Sequence, residues 1–425
     1  MPPDLIIANA RLAGQAIPMD IAIAAGRIVG IAPQIAADAP REDAGGRLVC
    51  GGLVDCHIHL DKAGLLDRSM VAYGALEEAV RETARLKAGF TVEDVYRRAA
   101  EVVEQAIGHG TMALRSFVEI DPRAGLRSFE AIKAVKADFA YAIDIEICAF
   151  AQEGLTNEPE TEGLLAGALA NGADLVGGCS YTDPDPDEHI RRIFALAERF
   201  GVAVDFHVDF DLVPTGSHLP AIIAETRRLG WEHRVICGHA TKLSAWPTGE
   251  VDAMAVRLAE SGIGIVALPA TDLFLLGRDA ETLVPRGIAP LLQLARAGVV
   301  TAVATNNILN PFTPFGDANL LRMANLFANV AQLSRESDLD AVFGMVAGNA
   351  ASLLRRPHGV TLGAAADLVL IDAISPADAV RRIAPVRAGW KNGRKSFERP
   401  PARLLGTRPE TRSEHAPAVA LSTPA

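Results

Sequence analysis

At 425 residues, with 49% hydrophobic side chains and a formal charge of −11, the chain has material for a large core and the wrong sign of charge for nucleic acid or an anionic membrane surface. No run of about 18 apolar residues occurs and no basic-then-apolar leader opens the chain, so neither a membrane span nor secretion is expected, and the expected address is cytoplasmic. The five cysteines, Cys50, Cys56, Cys148, Cys179 and Cys237, are scattered without a Cys-x-x-Cys pair, which favours reduced thiols over a disulfide framework or a thiolate zinc site.

The first strand-like segments are Leu5-Ile6-Ile7, Ile21-Ala22-Ile23 and, past an Ala25-Gly26 turn, Arg27-Ile28-Val29-Gly30-Ile31. The same texture returns at 366–372 and 386–393. Residues 1–51 plus 358–398 are therefore expected to form one small β-sandwich domain built from both chain ends.

Between them, from 52 to 357, β runs alternate with helical stretches. One run ends in His57-Ile58-His59; the others lie at 111–118, 142–150, 175–178, 202–208, 235–237, 264–267 and 299–304. Helical patterns at 91–107, 190–200, 219–229, 251–260 and 320–333 separate many of them. Eight such runs predict an α/β fold, a (β/α)8 TIM barrel. A doubly wound open sheet is the competing fold, disfavoured because no strand is followed by Gly-x-Gly-x-x-Gly. The tail from 399 to 425 holds five prolines and little periodicity, and is expected to be a loosely ordered extension.

In the strand ending His57-Ile58-His59-Leu60-Asp61, alternation puts Asp55, His57 and His59 on one face. An orphaned buried polar group costs about 1–3 kcal/mol, so these imidazoles need partners. Taken alone, a metal ion and ordinary hydrogen bonds are equal readings of this stretch.

Barrel active sites gather at the C-terminal ends of the strands. The polar residues found there are His57 and His59, Arg115 and Glu119, Gln152 and Glu153, His207 and Asp209, His239, Asp272, and Asn306 with Asn307. Four of the ten histidines end three different strands. The remaining six read as hydrogen-bonded or solvated residues, the three tryptophans as packing groups, and Lys62, Lys242, Arg115 and Arg278 mainly as solvated loop charges, with binding of a substrate carboxylate as the alternative. Phe210, Leu268 and Phe274 point to a rather apolar pocket.

His57-Ile58-His59-Leu60-Asp61, Ala149-Phe150-Ala151-Gln152-Glu153-Gly154, Gly172-Ala173-Asp174, His207-Val208-Asp209, His239, and Asn310-Pro311 followed by Pro314-Phe315-Gly316-Asp317-Ala318-Asn319 together resemble the amidohydrolase superfamily, in its cytosine-deaminase-like group. The similarity runs over about residues 4 to 395. It implies a barrel holding one divalent ion, Fe2+ or Zn2+, that activates water. It also implies His57, His59 and His207 as ligands, His239 orienting the water, and Gln152 bonding the edge of a planar nitrogen ring. No lysine ends the fourth strand near Gly178, so the two-metal version with a carboxylated lysine is not expected. A homo-oligomer is carried by analogy alone.

Two positions depart from that group. Phe210 stands where its members have a proton-shuttling glutamate, and Asn306 where they have an aspartate that touches the metal and takes a proton. A general base contributes roughly 10²–10⁴ in rate, so another residue must replace the pair. His239 with Asp209 is the expected catalytic couple; Asp209 fixing a ligand imidazole is the competing role. Phe210, Asp272 and Asn306 join Gln152 as expected substrate contacts. The expected function is metal-dependent hydrolysis of a non-peptide C–N bond in a small cyclic amidine or amide. Loss of alkylamine or sulfide from a substituted ring is an alternative, and a barrel that binds a heterocycle without turning it over is the rival from another class.

Overall fold

A computed structural model describes residues 2–405. The extension expected over 399–425 lies, from residue 406 onward, outside the described residues.

Eight parallel strands follow one another in chain order: Leu53–Ile58, Thr111–Glu119, Asp144–Ala151, Leu175–Cys179, Ala203–Val208, Val235–His239, Gly264–Ala267 and Thr301–Val303. Each is covered outside by helices and inside by its neighbours' side chains. Nearly every residue along them is buried, so the strands read as continuous apolar runs rather than alternating ones. The arrangement is a (β/α)8 barrel.

The eighth strand is only three residues long, and closure is handed to the residues just past its end. Asn306 N–H donates to the His57 carbonyl at 2.9 Å, and His59 N–H donates to the Asn306 carbonyl at 2.8 Å, a parallel bridge that seals the last strand to the first. The site thus lies on the seam of the barrel.

Two four-stranded sheets flank it. One joins Arg27–Ala32, Met19–Ala24, Leu5–Ala10 and Arg41–Asp43; the other joins Arg394–Glu398, Val386–Lys391, Leu368–Ile371 and Leu48–Gly51. Leu48–Gly51 pairs antiparallel with Leu368–Ile371, and Ile7, Ile21, Ile23, Leu368 and Trp390 share one core, which ties the two chain ends together.

Two helices, Leu76–Lys87 and Val92–Gly108, stand between the first two strands. The former was not foreseen. Its first turns roof the mouth, with Leu76, Ala79 and Val80 against Phe210, Leu275 and Phe312, while Leu86 near its end packs on the main core.

Candidate metal centre and active site

His57 belongs to the first strand, His59 lies one residue past it, and His207 is the last residue but one of the fifth. All three are buried, and each offers a nitrogen within 4.8 Å of those of the other two. The His57 and His207 Nε2 atoms are 2.8 Å apart. Phe117 stacks on His57 with ring centroids 3.9 Å apart, and Phe150 lies 4.3 Å from His207, so the imidazoles sit in an apolar sleeve. Gly238 makes this possible: a Cβ there would stand 2.7 Å from His57 Cε1.

Burial drives all three imidazoles well below the ordinary histidine pKa, and the Lys62 ammonium adds to the effect at each. They are held neutral, with lone pairs free. Several atoms are left without any partner: His57 Nδ1, both nitrogens of His59, and Asn306 Oδ1. So many orphaned polar atoms around one point would cost several times the price of a single one, unless they converge on a ligand. Neutral imidazoles and an amide oxygen are donors that a borderline divalent cation accepts, and they fit one.

His239 ends the sixth strand. Its Nδ1–H donates to Asp272 Oδ1 at 2.7 Å, and Asp272 Oδ2 accepts the Leu268 N–H at 3.0 Å. That pairing commits Nδ1 and leaves Nε2 as the nitrogen available to a ligand. The Phe210 ring covers His239 at 4.4 Å between centroids.

The two carboxylates have exchanged places relative to expectation. Asp209, expected to work with His239, instead accepts from Ser217 Oγ at 2.6 Å and from the His218 N–H at 2.9 Å, so it pins the loop after the fifth strand. Asp272, expected to contact substrate, is fully buried behind His239.

Asp209, His239, Ala240 and Asn306 all adopt positive φ, between 50° and 69°. Each costs about 1–3 kcal/mol for a non-glycine residue, and such strain collects where a side chain must be aimed. Here it aims His239 and Asn306 inward at the strand ends.

These groups surround a narrow cleft at the mouth of the barrel. Gln152, Phe210, His239 and Asn306 line it, as the sequence led one to expect of them. Tyr181, Thr271, Phe312 and Leu76 line it too, and had been missed. Tyr181 follows a strand end by two residues and was within reach of the strand-end rule; Phe312 comes from a loop, Thr271 from the short helix Pro269–Leu275 and Leu76 from the roofing helix, elements that do not end a strand.

The charges read as solvated are mostly buried pairs. Arg115 bridges Asp205 and Glu146 at 2.8 Å each, Lys242 meets Asp211 at 2.6 Å, and Lys62 meets Glu119 at 2.6 Å. Only Arg278 is exposed, donating to the carbonyls of Phe274 and Tyr73. At the fourth strand, the space a side chain on Gly178 would need is filled by His189, whose Nε2 is 2.1 Å from that Cβ position. A carboxylated lysine has no room there.

Comparison with known proteins agrees with this geometry. Residues 121–397 match the model of the amidohydrolase family. N-isopropylammelide isopropyl amidohydrolase of Pseudomonas sp. (strain ADP) is 28% identical over 92% of this chain and 96% of its own. Pterin deaminase of Rhizobium rhizogenes is 29% identical over 83% of this chain and 82% of its own. The crystal structure of 5-methylcytosine deaminase from Klebsiella pneumoniae superposes with a TM-score of 0.89 at 29% identity, over 94% of this chain and 98% of that one. With a family model spanning well over half of its length and such a structure overlying it almost end to end, the chain belongs to the amidohydrolase family, in its cytosine-deaminase-like group.

Proposed function

We propose that the chain is a metal-dependent hydrolase that cleaves a non-peptide C–N bond of a small cyclic amidine or amide, releasing ammonia. The observation that carries this is the set of buried, partnerless imidazole nitrogens beside Asn306 Oδ1, with His239 facing the same cavity. His57, His59 and His207 would hold one divalent ion, Zn2+ or Fe2+, with the Asn306 amide beside them. Such an ion lowers the pKa of water from about 15.7 to near 7.

The chain's own residues account for the rest. His239, with its Nδ1–H held by Asp272, takes a proton at Nε2 and returns it to the leaving nitrogen. Gln152 offers both a donor and an acceptor to a ring edge. The Phe210 and Phe312 rings and the roofing helix keep bulk water out, which strengthens every polar contact inside. Asn306 and Phe210 exchange no protons, so His239 carries that burden alone. Leu76, Phe210, Leu275 and Phe312 form an apolar side to the cavity that suits an N-alkyl substituent; loss of an alkylamine is therefore the second reading, and the N-isopropylammelide relative supports it. We infer a cytoplasmic enzyme of free small molecules rather than nucleic acid, in keeping with the −11 charge, and by analogy a homo-oligomer.

The test is metal analysis of the purified protein combined with amine release from cytosine, 5-methylcytosine, pterin and N-isopropylammelide. Stoichiometric metal and a turnover abolished by His239→Ala are expected. Absence of both metal and turnover would leave the non-catalytic binder as the better account.

A further inference from the structure

The charges around the cavity are one-sided. Among its lining residues stand one lysine, Lys62, and no aspartate or glutamate. Lys62 itself is built in rather than draped: its side chain is 3% exposed, its backbone N–H donates to Asp61 Oδ1 at 2.9 Å, and Asp61 Oδ2 accepts the Glu119 N–H at 2.9 Å. Its Nζ donates to Glu119 Oε1 at 2.6 Å and lies 4.3 Å from the centre of the Phe312 ring.

Glu119 is shared. Its second oxygen accepts from Lys87 Nζ at 2.8 Å, and Lys87 reaches on to Asp121 at 2.6 Å and Glu153 at 2.7 Å. Lys87 has Asp121 and Glu153 besides Glu119, whereas the Lys62 ammonium has three N–H donors of which Glu119 takes one, so its remaining donors are left for a ligand in the cavity. A buried, rigidly held cation with spare donors favours an anionic oxygen over a neutral one.

We propose that the substrate binds as an anion, an acidic oxo-heterocycle whose ring oxygen carries the negative charge and sits on Lys62. The proposal rests on the hydrolase reading above and narrows its substrate class to rings that ionise near neutral pH, or that bear an acidic oxygen in that position.

The test compares barbiturate, an anion at neutral pH, with uracil, a neutral ring of the same skeleton, by calorimetric binding to the protein at fixed metal content. Barbiturate is expected to bind at least tenfold tighter. Lys62→Met is expected to reduce that preference to within twofold while leaving uracil unchanged. Lys62→Arg, which keeps the cation, is expected to retain most of it, and Lys62→Gln, which keeps a donor for Glu119 without the charge, to behave as Lys62→Met does even if the latter folds poorly. Equal binding of the two ligands, no binding of either, or a preference that survives Lys62→Gln would overturn the proposal. Amine release without the preference would sink this inference and leave the hydrolase standing, whereas the preference without any amine release would do the reverse.

Discussion

Replacing Asp272 by asparagine changes one atom of a buried pair and tests who carries the proton. The carboxylate makes two contacts, 2.7 Å to His239 Nδ1 and 3.0 Å to the Leu268 N–H, and accepts in both. An asparagine amide has one accepting and one donating end, so whichever way it turns, one contact becomes donor against donor. If its oxygen stays with Leu268, its NH2 faces Nδ1 and forces the proton onto Nε2, the nitrogen that must be free. The lost charge-assisted bond is worth about 1.5–3 kcal/mol. At roughly 1.4 kcal/mol per tenfold in rate, kcat is expected to fall about 10- to 150-fold. Because Asp272 makes no hydrogen bond to the three clustered histidines, metal content should stay at the wild-type level and KM should move less than threefold. Steady-state amine release with metal analysis on the same preparations decides it. A kcat within threefold of wild type, or a loss residing wholly in KM or in metal content, would refute His239 as the proton carrier backed by Asp272.

Asn306→Asp places a carboxylate where an orphaned amide oxygen stands; unit charges about 4 Å apart attract by about 4 kcal/mol at an effective dielectric of 20, before desolvation takes back part of it. Metal is therefore expected to resist a chelator at least tenfold longer, and unchanged loss would show that this side chain does not reach the ion. Gly238→Ala drives a methyl to 2.7 Å from His57 Cε1 and is expected to lower metal content and to destabilise by about 1–3 kcal/mol, read by metal analysis and urea unfolding. Normal metal content and an unshifted urea midpoint would contradict the close approach. Burial pushes the thiols up, Cys50 to about 12 and Cys179 to about 11, with Cys56, Cys148 and Cys237 also well above the ordinary value. A disulfide reagent at pH 8 should therefore label none of the four buried cysteines, Cys56, Cys148, Cys179 and Cys237, quickly in the native protein and all of them in denaturant, with the half-buried Cys50 the first to react; prompt native labelling of the four would argue against this packing.

The barrel and its histidines were legible because each depends on local pattern. A His-x-His pair ending an apolar run, and single histidines ending two more, lie where the strand-end rule looks. The partner of His239 was not, because it depends on how a loop returns. Asp209 is nearer to His207 in the chain, but its backbone turns through positive φ and directs the carboxylate to Ser217 and His218. Asp272 arrives from 33 residues beyond His239, within the short helix Pro269–Leu275. Lys62, Lys242 and Arg115 misled for a related reason. A lysine or arginine in a loop reads as solvated until a distant carboxylate is seen to meet it, and Glu119, Asp211 and Asp205 lie 57, 31 and 90 residues from their partners.

The bridge through Asn306 ties cofactor loading to the integrity of the tertiary structure. The same few residues that clasp the final strand to the initial one carry the nitrogens that a cation would gather. An ion held there would act as a rivet across this join of the cylinder, adding resistance to unfolding that grows with the logarithm of free metal concentration. Stripping that ion is an attack on the join itself, and the demetallated protein should begin to come apart there, between the residues around His57 and those following Val303.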